Sequence, residues 1–316
     1  MSIYDGGEMI KFFNFSEGQE DSFLISIEDE DINILVDGGN GKTDITEKLK
    51  KNNITKIDYI VLTHIDQDHI KGIITLLEKE DFNDFIIVYN KFTDGNISFK
   101  QAERFEKIIE KYECIVSYKD YQESKGKIIF LGVDQRKLLR KNDFDIYVTF
   151  FSPNKGTVKD LYDKYKNITS TVDIINKSSI MFLLEYKNVS VLMTGDGYIS
   201  DILANLNKLA DENIAFSPIK KISLIKIPHH GSERNNEYLN DLLEKIKCEK
   251  FIITNKFINL KNTDVQIKEK LMKVIEGKSI YSSTDIDKYK YKDKDNQEYE
   301  IKIVSKEIVE LCEDDK

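Results

Sequence analysis

Short apolar runs recur along this chain between polar segments, which is the pattern of buried β-strands. Longer segments with apolar residues three and four positions apart predict helices. The alternation of the two predicts an α/β protein. We interpret as strands the segments 10–15, 23–27, 33–36, 59–62, 85–89, 128–133, 146–151, 178–186, 189–196, 222–227, 251–255, 288–295 and 299–304. We interpret as helices the segments 43–52, 70–80, 99–112, 237–247 and 264–275.

The polar residues that follow the predicted strand 59–62 are the most informative part of the sequence. His64, Asp66, Asp68 and His69 lie within six positions directly after Thr63. Imidazoles and carboxylates clustered at the end of a strand are typical metal ligands. The alternative is a polar loop that is charged by chance.

The distribution of histidine argues against chance. The chain has four histidines. The two outside this cluster are adjacent, in the segment Pro228-His229-His230-Gly231-Ser232, again directly after a predicted strand. Every histidine therefore lies in one of two motifs that could meet at a single site.

These motifs resemble the metallo-β-lactamase fold. The segment His-x-Asp-x-Asp-His-x-x-Gly at 64–72 is similar to its His-x-His-x-Asp-His signature, with Asp66 in place of the second histidine. This variant, followed by Thr-Gly-Asp at 194–196 and then Pro-His-His-Gly-Ser, resembles one branch in particular. It is the nuclease-like domain attached to ComEC, the bacterial DNA-uptake channel, with its stand-alone relatives.

The resemblance implies a metallo-β-lactamase-type αββα sandwich, in which two mixed β-sheets are flanked by helices. It covers most of the chain, so we expect a single domain over 1–316. No linker is apparent in the sequence. The polar, lysine-rich region around 94–175 is a candidate for a family-specific insertion.

The resemblance also implies two divalent metal ions, Zn²⁺ or Mn²⁺. A carboxylate in place of an imidazole makes the first site harder, which favours Mn²⁺. The expected ligands are His64, Asp66 and Asp196 for the first ion, and Asp68, His69, Asp196 and His229 for the second.

Asp68 and His230 are the candidate catalytic residues. His229 follows the predicted strand directly and is therefore the preferred ligand. His230 would then contact the substrate or the leaving group, although the two histidines could exchange roles.

Five further residues have candidate roles around the ions. Asp37, in an Asp-Gly-Gly segment after a strand, is expected to hold the metal loop by hydrogen bonds. Asp21 either orients a ligand in the same way or lies in a hairpin turn. Ser232 and Arg234 could hold a phosphate, and for Arg234 the alternative is a solvated surface charge. Asn176 is a third candidate substrate-binding residue. It lies near the position where, by the resemblance, many relatives have another histidine ligand, and its carboxamide or a water could fill that position.

Composition narrows the class of protein. The chain has 316 residues, 40% hydrophobic and 33% charged, as in ordinary globular proteins. No apolar stretch approaches the roughly 20 residues that span a bilayer, and no signal peptide is visible. We therefore expect a cytoplasmic protein without a membrane partner. The three cysteines are widely spaced, which predicts reduced thiols used in packing.

The net charge of −9 argues against extended, unspecific binding of nucleic acid. It does not exclude a phosphodiester substrate, because two divalent ions would dominate the field of the site.

The sequence therefore predicts a metal-dependent hydrolase, with a phosphodiesterase or nuclease that uses a two-metal-activated water as the leading interpretation. Nucleic acid or another phosphodiester would be the substrate. One alternative is a hydrolase of another ester, a lactone or an amide on the same fold. Another is a non-catalytic interaction module. A protein partner or a homo-oligomer is compatible with the sequence, which specifies neither.

Overall fold

The apolar runs form two β-sheets in the computed structural model. It describes residues 9–79, 81–90, 100–116, 136–140, 146–153, 172–211, 220–254, 271, 274–282, 288–292, 298–305 and 307–312.

The first sheet contains mostly strands from the N-terminal part of the chain. Its order is β16-β1-β2-β3-β4-β5-β6. The strands are β1 (Met9–Asn14), β2 (Phe23–Ile27), β3 (Ile32–Val36), β4 (Tyr59–Val61), β5 (Ile86–Tyr89), β6 (Glu113–Val116) and β16 (Ile308–Cys312). Pairing is antiparallel among β16, β1, β2 and β3 and parallel from β3 to β6, so the sheet is mixed.

The second sheet has the order β14-β15-β13-β12-β11-β10-β9-β8-β7. Its strands are β7 (Arg136–Arg140), β8 (Ile146–Ser152), β9 (Met181–Tyr186), β10 (Val189–Met193), β11 (Leu224–Lys226), β12 (Lys250–Ile252), β13 (Ser279–Ser282), β14 (Lys288–Lys292) and β15 (Glu298–Ser305). This sheet is also mixed, and its central strands β10, β11, β12 and β13 are parallel.

Alternation along the strands builds three apolar layers. Ile34 and Val36 of β3 point between the sheets, whereas Leu35 points to the outer face of the first sheet. Phe182 of β9 likewise faces the inter-sheet core, and Leu183 faces outward. Strands with both faces buried need cover on both sides, and the helices provide it on the outside. The αββα sandwich expected from the sequence is therefore confirmed.

Helices cover the outer faces of the two sheets. Three lie in the first half of the chain, at α1 (Ile45–Lys51), α2 (Gln67–Lys79) and α3 (Lys100–Ile109). The others described are α4 (Val172–Lys177), α5 (Ile199–Asp211), α6 (Glu233–Asn236) and α7 (Leu239–Lys245). Among the described residues no helix is long and apolar enough to cross a bilayer.

Most elements lie where the sequence pattern predicts them, within a few residues, and the β9–β10 hairpin through Lys187 and Asn188 is confirmed. The predicted start of the helix 70–80 is wrong, and the difference affects the candidate metal ligands. Helix α2 begins at Gln67, not beyond His69, so Asp68 and His69 occupy its first turn. The pattern also missed β6, β7, β13, β16, α4, α5 and α6. The strand predicted at 128–133 and most of the helix at 264–275 and of the insertion at 94–175 lie outside the described residues.

The cysteines form no disulfide. Cys248 is buried in the outer layer of the second sheet, and burial raises the pKa of its thiol to about 12. Burial likewise raises the pKa of Cys114 to about 11. Both thiols stay protonated near neutral pH and are poor ligands or nucleophiles. This agrees with their expected use in packing.

Candidate metal centre

The two histidine motifs meet where parallel strands of both sheets end. His64 follows β4 of the first sheet, whereas Asp196 and His229 follow the neighbouring strands β10 and β11 of the second. Because parallel strands present their carboxyl ends at one edge, these loops lie together. The loops of the two sheets then face each other across the sandwich.

Two glycines allow the first loop to approach helix α2. A Cβ atom at Gly38 would lie 2.2 Å from the backbone nitrogen of Ile73, so no side chain fits there. The amide of Gly38 donates to the carbonyl of His69 at 2.7 Å, and that of Gly72 to the carbonyl of Gly39 at 3.2 Å. This contact fixes the first turn of α2, which carries Asp68 and His69.

Asp37 holds two histidines, one directly and one through a threonine. Its Oδ2 lies 2.8 Å from Nδ1 of His69 and accepts the hydroxyl of Thr63 at 2.7 Å. Since Thr63 donates to Asp37, its oxygen is free to accept Nδ1–H of His64 at 3.0 Å. Both rings are therefore held by Nδ1, with Nε2 left as the available nitrogen.

His229 and His230 reach the site through an unusual turn. Both have left-handed backbone angles, with φ of 45° and 53°, and Gly231 follows at 87°. Such conformations cost non-glycine residues about 1–3 kcal/mol each and are maintained only by their surroundings. Here Asn236 donates its amide to the carbonyl of Pro228 at 2.9 Å. The turn allows two adjacent side chains to face the same site.

Each of these histidines also has an acceptor for Nδ1. Nδ1 of His229 lies 3.1 Å from Oδ1 of Asn235, whose amide nitrogen donates to the carbonyl of Asp196 at 2.8 Å. Nδ1 of His230 lies 2.9 Å from the hydroxyl of Thr254. Asn176 lies 3.3 Å from the same nitrogen of His229.

The Nε2 atoms of the four histidines and the carboxylates of Asp66 and Asp68 lie around Asp196. Oδ2 of Asp196 lies 3.8 Å from Nε2 of His64 and 3.6 Å from Nε2 of His229. Its other oxygen, Oδ1, lies 3.6 Å from Nε2 of His69. Asp196 therefore faces two sets of donors, one with each oxygen.

Asp66 and Asp68 complete the two sets. Oδ2 of Asp66 lies 3.7 Å from Nε2 of His64, and Oδ2 of Asp68 lies 3.3 Å from Nε2 of His230. Two ligands of one ion, at roughly 2.0–2.2 Å from it, are about 3–3.5 Å apart, close to these separations. The first set contains His64, Asp66, His229 and Oδ2 of Asp196, and the second contains Asp68, His69, His230 and Oδ1 of Asp196.

This grouping differs from the sequence-based one in the two adjacent histidines. His229 was expected beside Asp68 and His69, but His230 lies beside Asp68 and His229 lies on the side of His64. Backbone geometry is the reason, because the left-handed turn directs His229 to Oδ2 of Asp196 and His230 to Oδ2 of Asp68.

Buried polar atoms without a partner show that these residues suit a metal ion. His64 and His69 are fully buried, and Nε2 of each accepts or donates no hydrogen bond within the described residues. Oδ1 of Asp196 likewise has no hydrogen-bond partner there, and only the longer contacts of His69 at 3.6 Å and Lys226 at 3.7 Å reach it among the described residues. Buried groups of this kind are costly unless something binds them. Borderline imidazole and hard carboxylate donors together suit Zn²⁺, Mn²⁺ or a similar divalent ion.

Three groups of donor atoms within 4.8 Å of one another occur in the described residues. They are His64, His69 and Asp196; Asp68, His69 and His230; and Asp21, Asp37 and His69. The third group differs from the others, because its carboxylates already have partners. Asp37 binds Nδ1 of His69, and Asp21 forms an ion pair with the buried Lys226.

The electrostatic field of the site favours cations. Burial alone would raise the pKa of Asp196, but the nearby His69 holds it well below its usual range. Burial would lower the pKa of His69, yet the charges of Asp37 and Asp196 raise it well above. His230, beside Asp68, also has a raised pKa despite its burial. Ionised carboxylates therefore surround these buried rings, and little solvent is present to screen their negative charge.

The predicted phosphate ligands lie at the rim. Ser232 contributes its backbone amide to the turn, donating to the carbonyl of His229 at 2.9 Å. The guanidinium carbon of Arg234 lies 5.7 Å from the ring centre of Tyr198, and the ammonium of Lys177 lies 5.8 Å from the same centre. Arg234 is exposed, and the next residue in the chain, Asn235, contacts His229.

Several supporting residues were missed by sequence reasoning. These residues, Thr63, Ser179, Asn235 and Thr254, each contact Nδ1 of a histidine, and Ser179 does so at 3.3 Å from His64. They have no distinctive spacing, because their roles depend on loops that meet only in the fold. Lys226 did have a signal, since a lysine within the apolar run 222–227 is unusual in a buried strand.

The two mixed sheets, their helices and the shared histidine-aspartate centre define the architecture of a metal-dependent hydrolase of the metallo-β-lactamase type. Residues 16–254 match the sequence profile of the Metallo-beta-lactamase superfamily. The chain belongs to this superfamily, whose members are metal-dependent hydrolases.

Solved structures resemble the chain only distantly. Human tRNase Z, short form, aligns with a TM-score of 0.42 and 13% identity over 86% of this chain and 91% of its own. A putative metal-dependent hydrolase from Parabacteroides distasonis aligns with a TM-score of 0.45 and 12% identity, over 86% of this chain and 92% of its own. A diphosphatase from the PhnP family aligns with a TM-score of 0.40 and 11% identity, over 78% of this chain and 86% of its own. No curated protein sequence matches the chain. The ComEC-like resemblance stays a prediction.

Proposed function

We propose that this protein is a metal-dependent phosphodiesterase that acts on nucleic acid or a smaller phosphodiester in the cytoplasm. The observation that carries the proposal is the pair of donor sets that share Asp196. Each set offers two imidazole nitrogens and one further carboxylate, and each receives one oxygen of Asp196. Paired sites of this kind suit in-line displacement at phosphorus.

The residues of the first set would hold one divalent ion and those of the second set another. When bound, such ions supply Lewis-acid charge that acidifies water and offsets negative charge on phosphate oxygens. A cation-binding site also explains why an acidic chain could bind a phosphodiester, since the local charge decides the field at the site.

The chain's own residues prepare the site for this chemistry. The Nδ1 contacts of all four histidines keep Nε2 directed inward. Burial of His64, His69 and Asp196 excludes water from the inner side. Asp66, Asp68 and His229 are about one third exposed and therefore form the face that meets a substrate. Asp68 is held ionised, because the hydrogen bond from His230 outweighs the effect of burial and lowers its pKa.

Cations at the rim favour a phosphate over a neutral acyl substrate. Lys177 and Arg234 both approach the ring of Tyr198, and each adjoins an asparagine that contacts His229. A diester held between the two donor sets would leave its flanking groups near this edge. A neutral lactone or amide carries no negative charge that Lys177 and Arg234 could attract.

The test combines metal content with substrate preference. The purified protein is analysed by native mass spectrometry and incubated with labelled single-stranded DNA, double-stranded DNA and RNA plus Mn²⁺ or Zn²⁺. Bis-p-nitrophenyl phosphate, nitrocefin and an acyl lactone are assayed in parallel. We expect two ions per chain and cleavage of a phosphodiester that EDTA abolishes.

Other outcomes are equally informative. Hydrolysis of the lactone or nitrocefin in preference to every phosphodiester would assign a different ester or amide substrate. A protein that binds no metal and cleaves nothing would favour an interaction module. Size-exclusion chromatography with light scattering determines whether the active form is a homo-oligomer.

A further inference from the structure

The two donor sets are alike in one of their histidines. In each set, one imidazole contacts a threonine whose hydroxyl donates to a buried aspartate. Nδ1 of His64 lies 3.0 Å from Thr63, and Nδ1 of His230 lies 2.9 Å from Thr254. Both threonines donate to their aspartate at 2.7 Å. These two histidines therefore give neither set an advantage in binding a cation.

The sets differ in the contacts of the remaining histidine. Nδ1 of His69, in the second set, lies 2.8 Å from a carboxylate oxygen of Asp37. Nδ1 of His229, in the first set, contacts two carboxamides, that of Asn235 at 3.1 Å and that of Asn176 at 3.3 Å. A carboxylate bonded to the outer nitrogen of a metal-binding imidazole makes the ring a stronger ligand. A neutral carboxamide orients the ring but supplies no full charge.

Burial favours the same set. His69 is fully buried, whereas the side chain of His229 is 32% exposed. Attraction between a carboxylate and a cation is weakened by water and is strongest where little solvent enters. The charge of Asp37 therefore acts on a cation beside His69 with little screening, and a cation beside His229 meets solvent.

Lys226 works in the opposite direction. Its ammonium is fully buried and lies 3.7 Å from Oδ1 of Asp196, the oxygen that belongs to the second set. However, Lys226 forms an ion pair with Asp21, which also accepts the hydroxyl of Thr254. The charges of lysine and aspartate offset each other, so the carboxylate of Asp37 still distinguishes the second set from the first.

We infer that the two donor sets bind divalent ions unequally, with the second set, which contains His69, filling first and the first set, which contains His229, filling at higher metal concentration. Loss of an outer hydrogen-bond partner typically reduces metal affinity about 10–100-fold. We expect the dissociation constants of the two isolated sets to differ by about this factor. The inference rests on the metal centre of the proposed function and not on its substrate.

The primary test uses Asp66→Ala and Asp68→Ala, which are matched variants. The two aspartates lie two positions apart, their side chains are 31% and 37% exposed, and each belongs to one set. Each variant keeps the other set complete. Comparing the variants also removes the repulsion between two bound ions, which would separate two binding steps even in equal sites.

EDTA-treated protein is titrated with Mn²⁺ and followed by calorimetry, which needs no substrate. We expect the tightest step of Asp66→Ala to be about 10–100-fold stronger than that of Asp68→Ala. Electron paramagnetic resonance of the wild type gives a second readout. The first equivalent of Mn²⁺ should give the spectrum of an isolated ion, and the spectrum of a coupled pair should develop with the second equivalent.

Asp37→Asn tests the stated cause. In the Asp66→Ala background, where the set of His69 is complete, this change should weaken the tightest step about 10–100-fold. In the Asp68→Ala background the effect should be a few fold at most, because Asp37 reaches His64 only through Thr63.

Three results would overturn the inference. They are Asp68→Ala binding its ion as tightly as Asp66→Ala, Asp37→Asn weakening both backgrounds equally, and a coupled pair that forms from the first equivalent. Circular dichroism checks that the variants fold, and Asp66→Asn and Asp68→Asn replace any alanine variant that does not. A wild-type protein that binds no metal would refute the metal centre itself. The expected order of filling without phosphodiester cleavage would count against the proposed substrate alone.

Discussion

The carbonyl oxygen of Gly38 lies 1.7 Å from the point that a Cβ atom on Gly72 would occupy. The two backbones are therefore in direct contact, and each glycine is required by the other. This contact joins the Asp-Gly-Gly loop to the helix that carries Asp68 and His69. The glycine that ends the His-x-Asp-x-Asp-His-x-x-Gly motif thus has a steric role.

Gly72→Ala should destabilise the protein by about 3 kcal/mol or more, because the new methyl group meets backbone that cannot move aside. Urea unfolding monitored by circular dichroism measures the change. Gly277→Ala is the control, since its Cβ would meet nothing within 4 Å and the left-handed backbone costs only about 1–2 kcal/mol. Equal costs for the two variants would contradict the steric explanation.

The double variant Asp68→Ala/His69→Ala should lose one metal ion and hydrolytic activity together. Both residues belong to the second donor set, so their removal leaves His230 and Oδ1 of Asp196 alone. We expect kcat/KM to fall roughly 100-fold or more, beyond the usual effect of an outer partner. Native mass spectrometry gives the metal count, and EDTA-treated wild type gives the baseline. Asp81→Asn, an exposed aspartate paired with Lys50, should behave as wild type. Full activity of the double variant would refute the two-ion assignment.

Asp37→Asn isolates the charge of the residue that orients His69. Asparagine tolerates the left-handed angle of Asp37, φ of 56°, so the backbone should be preserved. The amide is a weaker acceptor for Nδ1–H of His69, and metal affinity should fall about 10–100-fold. Titration calorimetry checks this. Unchanged affinity would show that Asp37 shapes the loop without influencing the ligand.

Helix α1 supplies a pH-dependent prediction away from the site. Asp44 caps this helix, accepting the amide of Thr46 at 3.0 Å, and also pairs with Lys79. The hydrogen bond from Lys79, together with those from the backbone, lowers the pKa of Asp44. A carboxyl whose folded pKa is below its unfolded value stabilises the fold above the unfolded pKa, near 3.9, and less as pH falls through the folded pKa.

Asp44→Ala should therefore lower the free energy of unfolding by about 1 kcal/mol at pH 7, as is usual when a helix loses its N-terminal capping side chain. Asp44→Asn keeps a capping side chain but no charge, so its difference from the wild type should shrink below pH 4. Urea unfolding at pH 7 and pH 3 measures both. A difference between aspartate and asparagine that is independent of pH would exclude the contribution of charge.

Much of the fold and of the centre could be predicted from the sequence. Apolar runs located most strands, because a strand buried on both faces must be continuously apolar. The spacing of His64, Asp66, Asp68 and His69 indicated a metal centre, because short-range ligand motifs depend on local geometry alone. Strand β16 was missed because it is not defined by a local pattern. It forms by pairing with β1, almost 300 positions away in the chain.

The sequence by itself determined which residue types are available for the centre and the order in which they occur. Only the tertiary structure decided how these residues are divided between the two donor sets. Adjacent His229 and His230 are equivalent in sequence, and a left-handed turn directs His229 to Asp196 and His230 to Asp68. Lys226, Asp21 and Thr254 come from distant segments and meet between the sheets. Such contacts depend on side-chain direction and packing across the two sheets, which hydrophobic periodicity does not encode.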